Sequence, residues 1–245
     1  MGRIHGREAT AADLSALALT GFGHFTSMHV EGGGVKGLDL HLDRLARDCR
    51  AVFDAELDRA AVLGAIRNAI AAGAGDCTLR VTVFDPDLTL ANLGTAQARP
   101  IPMVTTRPSA SSVLAPMRVL SVAFQREMPS VKHVGLFGQL RHRVAAKRAG
   151  FDDVLFVDPA SGRVSEGCTW NVGFVTQDGE VVWPDAAVLP GVTMALVADA
   201  AGAHVTRPVL RDDVLGMRAA FAPTRASAYV RSVPSTTVVS MSRIR

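Results

Sequence analysis

Three short segments of this chain carry side chains able to do chemistry. Leu40-His41-Leu42-Asp43-Arg44-Leu45 sets an arginine in a helical apolar pattern, and Pro129-Ser130-Val131-Lys132-His133-Val134 sets a lysine just after a proline. Val164-Ser165-Glu166-Gly167-Cys168-Thr169-Trp170-Asn171-Val172-Gly173-Phe174 is followed shortly by Leu189-Pro190-Gly191-Val192-Thr193. A lysine amine becomes a nucleophile when it can shed its proton near neutral pH, which desolvation and neighbouring cations promote. A guanidinium grips an oxyanion by forked hydrogen bonds. Backbone N–H groups at a helix start, joined by a threonine hydroxyl such as that of Thr193, form an anion site. Glu166, followed by glycine and small polar residues, suits close approach to a ligand. Taken singly, each residue has a plainer reading: Lys132 on the surface, Glu166 at a solvated turn exit, Arg44 on a solvated helix face, and Cys168 a small buried residue.

The elements that must position these residues follow from periodicity and punctuation. Residues 19–31 read as a strand with His24, Thr26, Met28 and Val30 on one face. Gly32-Gly33-Gly34 turns the chain into a short return strand at Val35–Leu38. Leu42, Leu45, Cys49 and Val52 make one apolar stripe of a helix over 40–53, with Arg44 at its flank. A second helix is expected over 58–72, stopped by Gly73 and Gly75. Strands follow at 78–84 and 99–105, and residues 106–116, small and proline-containing, read as a linker. Beyond it come a strand at 117–124, a helix over 136–149, and strands at 153–157, 172–175 and 180–183. A helix over 193–201 and strands near 204–209, 219–222 and 228–230 close the chain. The division expected is an N-terminal α+β domain at 1–106, a linker at 107–116 and a C-terminal domain at 117–245. Ligands commonly sit between such halves.

Composition narrows the function classes. Of 245 residues, 48% are apolar and 20% charged, a balance that builds a core and excludes wholesale disorder. No apolar run reaches the roughly 20 residues of a spanning helix, so no membrane partner is expected. The three cysteines, Cys49, Cys77 and Cys168, have no CxxC spacing, which fits a cytoplasmic protein without a disulfide framework. The net charge of +3 comes with only 5% aromatics, and no nucleic-acid partner is expected. Arg141, His142, Arg143, Lys147 and Arg148 read as a solvated helix face. His41, His133 and His142 read as surface or helix-edge histidines, and no metal site is expected. Phosphate-loop, dinucleotide, HExxH and GxSxG patterns do not occur.

In their order and spacing the three segments resemble the class IV aminotransferases, the family of branched-chain and D-amino acid aminotransferases and aminodeoxychorismate lyase. The resemblance covers about residues 20–235 and is strongest over 129–193. It implies a two-domain α+β fold, with a small N-terminal α/β sandwich and a larger β-barrel-like C-terminal domain. It implies pyridoxal 5'-phosphate as cofactor, Lys132 as the Schiff-base lysine and Glu166 as the carboxylate facing the pyridine nitrogen. Arg44, Val192 and Thr193 would hold the cofactor's phosphate, and Asn171 would line the cofactor-facing loop. Ser227 or Thr224 would supply a further hydroxyl. An amino acid and a 2-oxo acid as substrates, and a homodimer, are implied likewise.

The sequence departs from the family in two places. The tyrosine common four or five positions after the lysine is replaced by Leu136 and Phe137. The usual Gly-Asp-Gly-Val-Phe-Glu-Thr stretch reads Gly23-His24-Phe25-Thr26-Ser27. Two other readings therefore stand beside a transaminase: a lyase of the aminodeoxychorismate type, and a cofactor-free ligand-binding or interaction scaffold.

Overall fold

The computed structural model describes residues 2–4, 6–72, 75–95, 97–109, 116–223 and 237–240. Two compact units emerge, Met1–Ser111 with Val131–Gly135, and Ser112–Ser130 with Leu136–Arg245. The short segment carrying Lys132 thus groups with the N-terminal unit.

In the first unit, β1 (Arg3–Ile4) and β2 (Arg7–Glu8) pair antiparallel and lead into α1 (Ala11–Thr20). Then come β3 (His24–Glu31), β4 (Gly34–Val35), α2 (Leu38–Phe53), α3 (Arg59–Ala71), β5 (Cys77–Phe84) and β6 (Ile101–Pro108). The strands form one antiparallel sheet in the order β2-β1-β6-β5-β3-β4. Helix α2 packs on β3, and α3 packs on β5 and β6. Val30, Leu45, Cys49, Val62, Leu79 and Val81, all fully or almost fully buried, make the core. The predicted stripe of α2 faces it through Leu42, Leu45 and Cys49, while Val52 is half-buried.

Helix α1 occupies a stretch that periodicity left unassigned, and it shortens the strand expected from residue 19. Thr10 caps it: the Thr10 hydroxyl accepts from the Asp13 N–H at 3.2 Å, and the Asp13 carboxylate accepts from the Thr10 N–H at 2.7 Å. This reciprocal pair satisfies two donors that a helix start leaves open. The return strand is also shorter than expected, because the chain has already entered α2 at Leu38.

The second unit contains β7 (Met117–Ala123), α4 (Phe137–Arg148), β8 (Asp153–Val157), β9 (Val164–Gly167), β10 (Gly173–Val175) and β11 (Val181–Pro184). It continues through α5 (Val192–Ala201), β12 (His204–Arg207), β13 (Ala219–Ala222) and β14 (Thr237–Ser240). Its mixed sheet runs β12-β11-β10-β13-β14-β7-β8-β9. Strand β8 is buried on both faces: Leu155 joins the core with Val119, Val164 and Phe174, while Val154 and Phe156 pack with Ala146 of α4 and Cys168. A strand covered on both sides reads as a continuous apolar run. The strand predicted at 228–230 and most of the predicted linker lie outside the described residues. Among the described residues, no helix is long and apolar enough to cross a membrane, and no cluster of His, Cys, Asp and Glu could hold a metal ion.

His24 opens β3 fully buried, and among the described residues neither ring nitrogen has a hydrogen-bond partner. Burial pushes its pKa down to about 3. In the unfolded chain the ring titrates near ~6.5. As pH falls the unfolded state takes the proton first, so His24 costs no stability above about pH 6.5 and progressively more below it. Between pH 7 and 5.5 the wild type should lose about 1 kcal/mol more stability than His24→Leu, read from urea unfolding at both pH values. Equal losses in the two proteins would contradict the assignment.

Candidate active site

Helix α2 buries a second, polar stripe beside its apolar one. His41, Arg44 and Asp48 lie at i, i+3 and i+7 and therefore share a face. They are only 6%, 5% and 0% exposed. Arg44 Nη2 donates to the Thr26 hydroxyl on β3, and the Thr26 oxygen lies 2.7 Å from His41 Nδ1. Arg44 Nε is buried with no hydrogen-bond partner among the described residues. Burial lowers the Arg44 pKa to about 10. It lowers that of His41 to about 3, with the charges of Arg44 and Lys132 pushing the same way. His41 is therefore a buried neutral ring and not the surface or helix-edge residue expected; the sheet beneath α2 covers that face.

The Lys132 segment lies along the start of β3. Phe25 N–H donates to the Lys132 carbonyl at 2.9 Å, Val134 N–H donates to the Gly23 carbonyl at 2.9 Å, and His133 bridges His24. On its other side the Lys132 N–H donates to Asp48 Oδ2 at 2.9 Å. The second Asp48 oxygen accepts from Arg47 Nη2 at 2.8 Å. Lys132 is half-buried, with Nζ 4.9 Å from the centre of the Phe25 ring. One carboxylate, itself fully buried, thus ties the lysine's main chain to the helix that carries Arg44.

In the second unit, Glu166 lies buried in β9, one residue before its end, and its carboxylate is held on both oxygens. Arg126 Nε donates to Oε1 at 2.8 Å, and the Leu189 N–H donates to Oε2 at 3.2 Å. Arg126 also donates to the Pro129 carbonyl, across a turn in which Met128 takes a left-handed φ of 42°. After Glu166 the chain turns tightly and Asn171 bridges back to it. Glycine is required at 167, because a Cβ there would sit 2.0 Å from Trp170 Cε2. Trp170 Nε1 donates to Asp153 at 2.9 Å, and Arg143 forks onto the same carboxylate at 2.9 and 2.7 Å. Arg143 is therefore not part of a solvated face; it braces this turn from α4. The Cys168 thiol is fully buried, its pKa pushed up to about 11 by desolvation, which makes it a packing residue.

Asn171 Nδ2 donates to the Leu189 carbonyl at 2.8 Å, which joins the turn to the loop before α5. Helix α5 starts at Val192 with Gly191 as its cap, and no side chain occupies the cap. A Cβ at Gly191 would meet Asn171 Oδ1 at 2.0 Å, so the loop can pass there only as glycine. Thr193, half-buried, follows in the first turn.

Lys132 and Arg44 thus share the first unit, and Glu166, Asn171, Val192 and Thr193 share the second. Ser227 and Thr224 lie outside the described residues. At the position where relatives carry a tyrosine, Leu136 is half-buried and Phe137 is 79% exposed. Thr26, Asp48 and Arg126 were not singled out from sequence. Asp48 and His41 had one available signal, their spacing from Arg44 on the helix; Arg126 had none. Taken by itself, the first unit offers a buried arginine with an unused N–H, and the second an open helix start and a carboxylate fixed against rotation; each suits one part of a phosphorylated ring cofactor.

The family model "Amino-transferase class IV" matches residues 23–222. Direct comparison with curated protein sequences gave no match. Among solved structures, 4-amino-4-deoxychorismate lyase from Pseudomonas aeruginosa is 24% identical, with a TM-score of 0.77 over 98% of this chain and 91% of that one. The branched-chain amino acid aminotransferase of Escherichia coli is 18% identical, with a TM-score of 0.79 over 98% and 85%. A hypothetical aminotransferase from Mycobacterium tuberculosis, in its PLP-bound form, is 22% identical, with a TM-score of 0.74 over 96% and 86%. At these identities the likeness establishes a common fold. With the family model spanning most of its length and the three motifs in their places, the chain belongs to the class IV aminotransferase family.

Proposed function

We propose that this chain is a pyridoxal-phosphate-dependent aminotransferase acting on an amino acid and a 2-oxo acid, with Lys132 as its catalytic lysine. The observation that carries this reading is the fixing of the Lys132 main chain by Asp48 on one side and Phe25 on the other. A lysine pinned at its backbone presents its amine from a set origin, which productive geometry requires. The cofactor, when bound, supplies a protonated ring that takes up the electron pair left on a substrate carbon.

Arg44, the N–H of Val192 and the hydroxyl of Thr193 would hold the phosphate, with Ser227 as a further hydroxyl. Glu166 would keep the ring nitrogen protonated. Its two contacts, with Arg126 and with the Leu189 N–H, prevent it from turning away. Asn171 braces the same loop through the Leu189 carbonyl. Lys132 Nζ, once neutral, would take the proton from the substrate Cα and deliver it to the cofactor's C4′. The working unit would be a homodimer. Phe137, Leu140 and Val144, exposed at i, i+3 and i+7 of α4, form an apolar stripe of the kind a partner subunit covers.

Purified protein given pyridoxal phosphate should develop a visible absorbance band that Lys132→Ala abolishes, and that variant should turn over about 10²–10⁴-fold more slowly. A wild type that stays colourless would refute the assignment and favour the cofactor-free scaffold. Turnover with an amino donor should stop when the 2-oxo acid is withheld. Continued turnover without it would point to lyase chemistry instead.

A further inference from the structure

Among the described residues Arg44 is a buried cation that no carboxylate touches; the charge of Asp48 acts on it only through space. The hydrogen bonds of Arg44 run to Thr26 and His41, and both are neutral groups. Asp48, one turn along the helix, has its oxygens engaged by Arg47 and the Lys132 N–H. Desolvation outweighs the distant pull of Asp48 on Arg44, and part of that cost is recovered when an anion arrives.

The protons in this cluster can be placed by counting donors. An arginine has only donors, so the Thr26 oxygen must accept from Arg44. Arg44 Nη2 also lies 3.5 Å from His41 Nδ1 and can only donate there, so that nitrogen accepts, and the Thr26 proton is directed to it at 2.7 Å. His41 Nδ1 is therefore unprotonated, and its remaining proton sits on Nε2. Thr26 is itself held in place: it is fully buried, it pairs with Val81 of β5, and β-branching restricts its side chain. The chain Arg44–Thr26–His41 thus runs in one direction, anchored on the sheet.

We propose that Thr26 and His41 are positioning residues that hold the Arg44 guanidinium by Nη2, oriented and still fully charged, for a phosphomonoester, leaving its buried Nε as a donor in reserve. This rests on the reading of Arg44 as a phosphate-holding residue. A neutral hydroxyl orients the cation without competing for its charge, as a carboxylate at the same place would. His41 in turn fixes the rotation of that hydroxyl.

The test uses pyridoxamine 5'-phosphate and pyridoxamine, which differ only by the phosphate and cannot link covalently to a lysine. Dissociation constants are measured for both ligands by fluorescence titration of the full chain. Thr26→Val should weaken the phosphorylated ligand about tenfold and change pyridoxamine by less than about twofold. Thr26→Ser, which keeps the hydroxyl, should bind both as the wild type does. If Thr26→Val is too unstable to purify, Thr26→Cys, a far weaker hydrogen-bonding group, is read in its place. His41→Leu should show part of the same loss, and the Thr26→Val/His41→Leu double variant should be no worse than Thr26→Val alone, as expected of residues acting in series. Unchanged affinity of Thr26→Val for the phosphorylated ligand, or an equal loss for both ligands, would overturn the proposal. Arg44→Gln separates the two levels. If it binds the phosphorylated ligand normally, the phosphate role of Arg44 fails and the inference with it. If it loses affinity while Thr26→Val does not, only the positioning role fails.

Discussion

The hydrogen bond from the Lys132 N–H to the buried Asp48 carboxylate is the constraint on which the active-site reading depends. It joins two segments 84 residues apart and fixes the reactive residue by its main chain, leaving the side chain for chemistry. Taking Asp48 fully out of water is costly, and the protein offsets that by giving its oxygens donors, Arg47 and the Lys132 amide. The antiparallel pairing of 132–134 with 23–25 holds the segment from the opposite side. The lysine therefore sits with the N-terminal unit although its sequence position falls among residues of the other.

The same helix face carries a buried cation, Arg44, one turn from Asp48. Burial above all keeps the His41 ring neutral, the charges of Arg44 and Lys132 push the same way, and its Nδ1 serves as a hydrogen-bond acceptor. Excess buried cation is unfavourable for folding and favourable for an anionic ligand. In the second unit the electrostatics run the other way. A buried carboxylate, Glu166, is paired with Arg126 and fixed by a backbone N–H, and a brace of Asp153, Arg143 and Trp170 supports the turn after it.

Much of this was legible in the sequence because it is local. The stripe of α2, the strand at 153–157, the helix over 136–149 and the order of the three motifs all follow from periodicity and punctuation. Helix α1 escaped because its signal is a capping pair, Thr10 with Asp13, and not an apolar stripe. The partners of the motif residues escaped for a different reason. Asp48 meets Lys132, Arg126 meets Glu166, and Arg143 meets Asp153 only once the chain has folded, and nothing in the spacing of those residues announces the pairing. His41 was misplaced by the same rule: a histidine on a helix flank reads as exposed unless a hydroxyl on a distant strand is known to meet it.

The chain has three lysines, Lys36, Lys132 and Lys147, which makes the central assignment directly measurable. Lys36 lies 3.8 Å from the exposed Glu31 carboxylate, and Lys147 is exposed in the last turn of α4. Loading the protein with pyridoxal phosphate, reducing it with borohydride and mapping the peptides by mass spectrometry reports which amine bound the cofactor. The phosphopyridoxyl group is expected on the peptide containing Lys132. Its appearance on Lys36 or Lys147 instead, or on none of the three, would contradict the account.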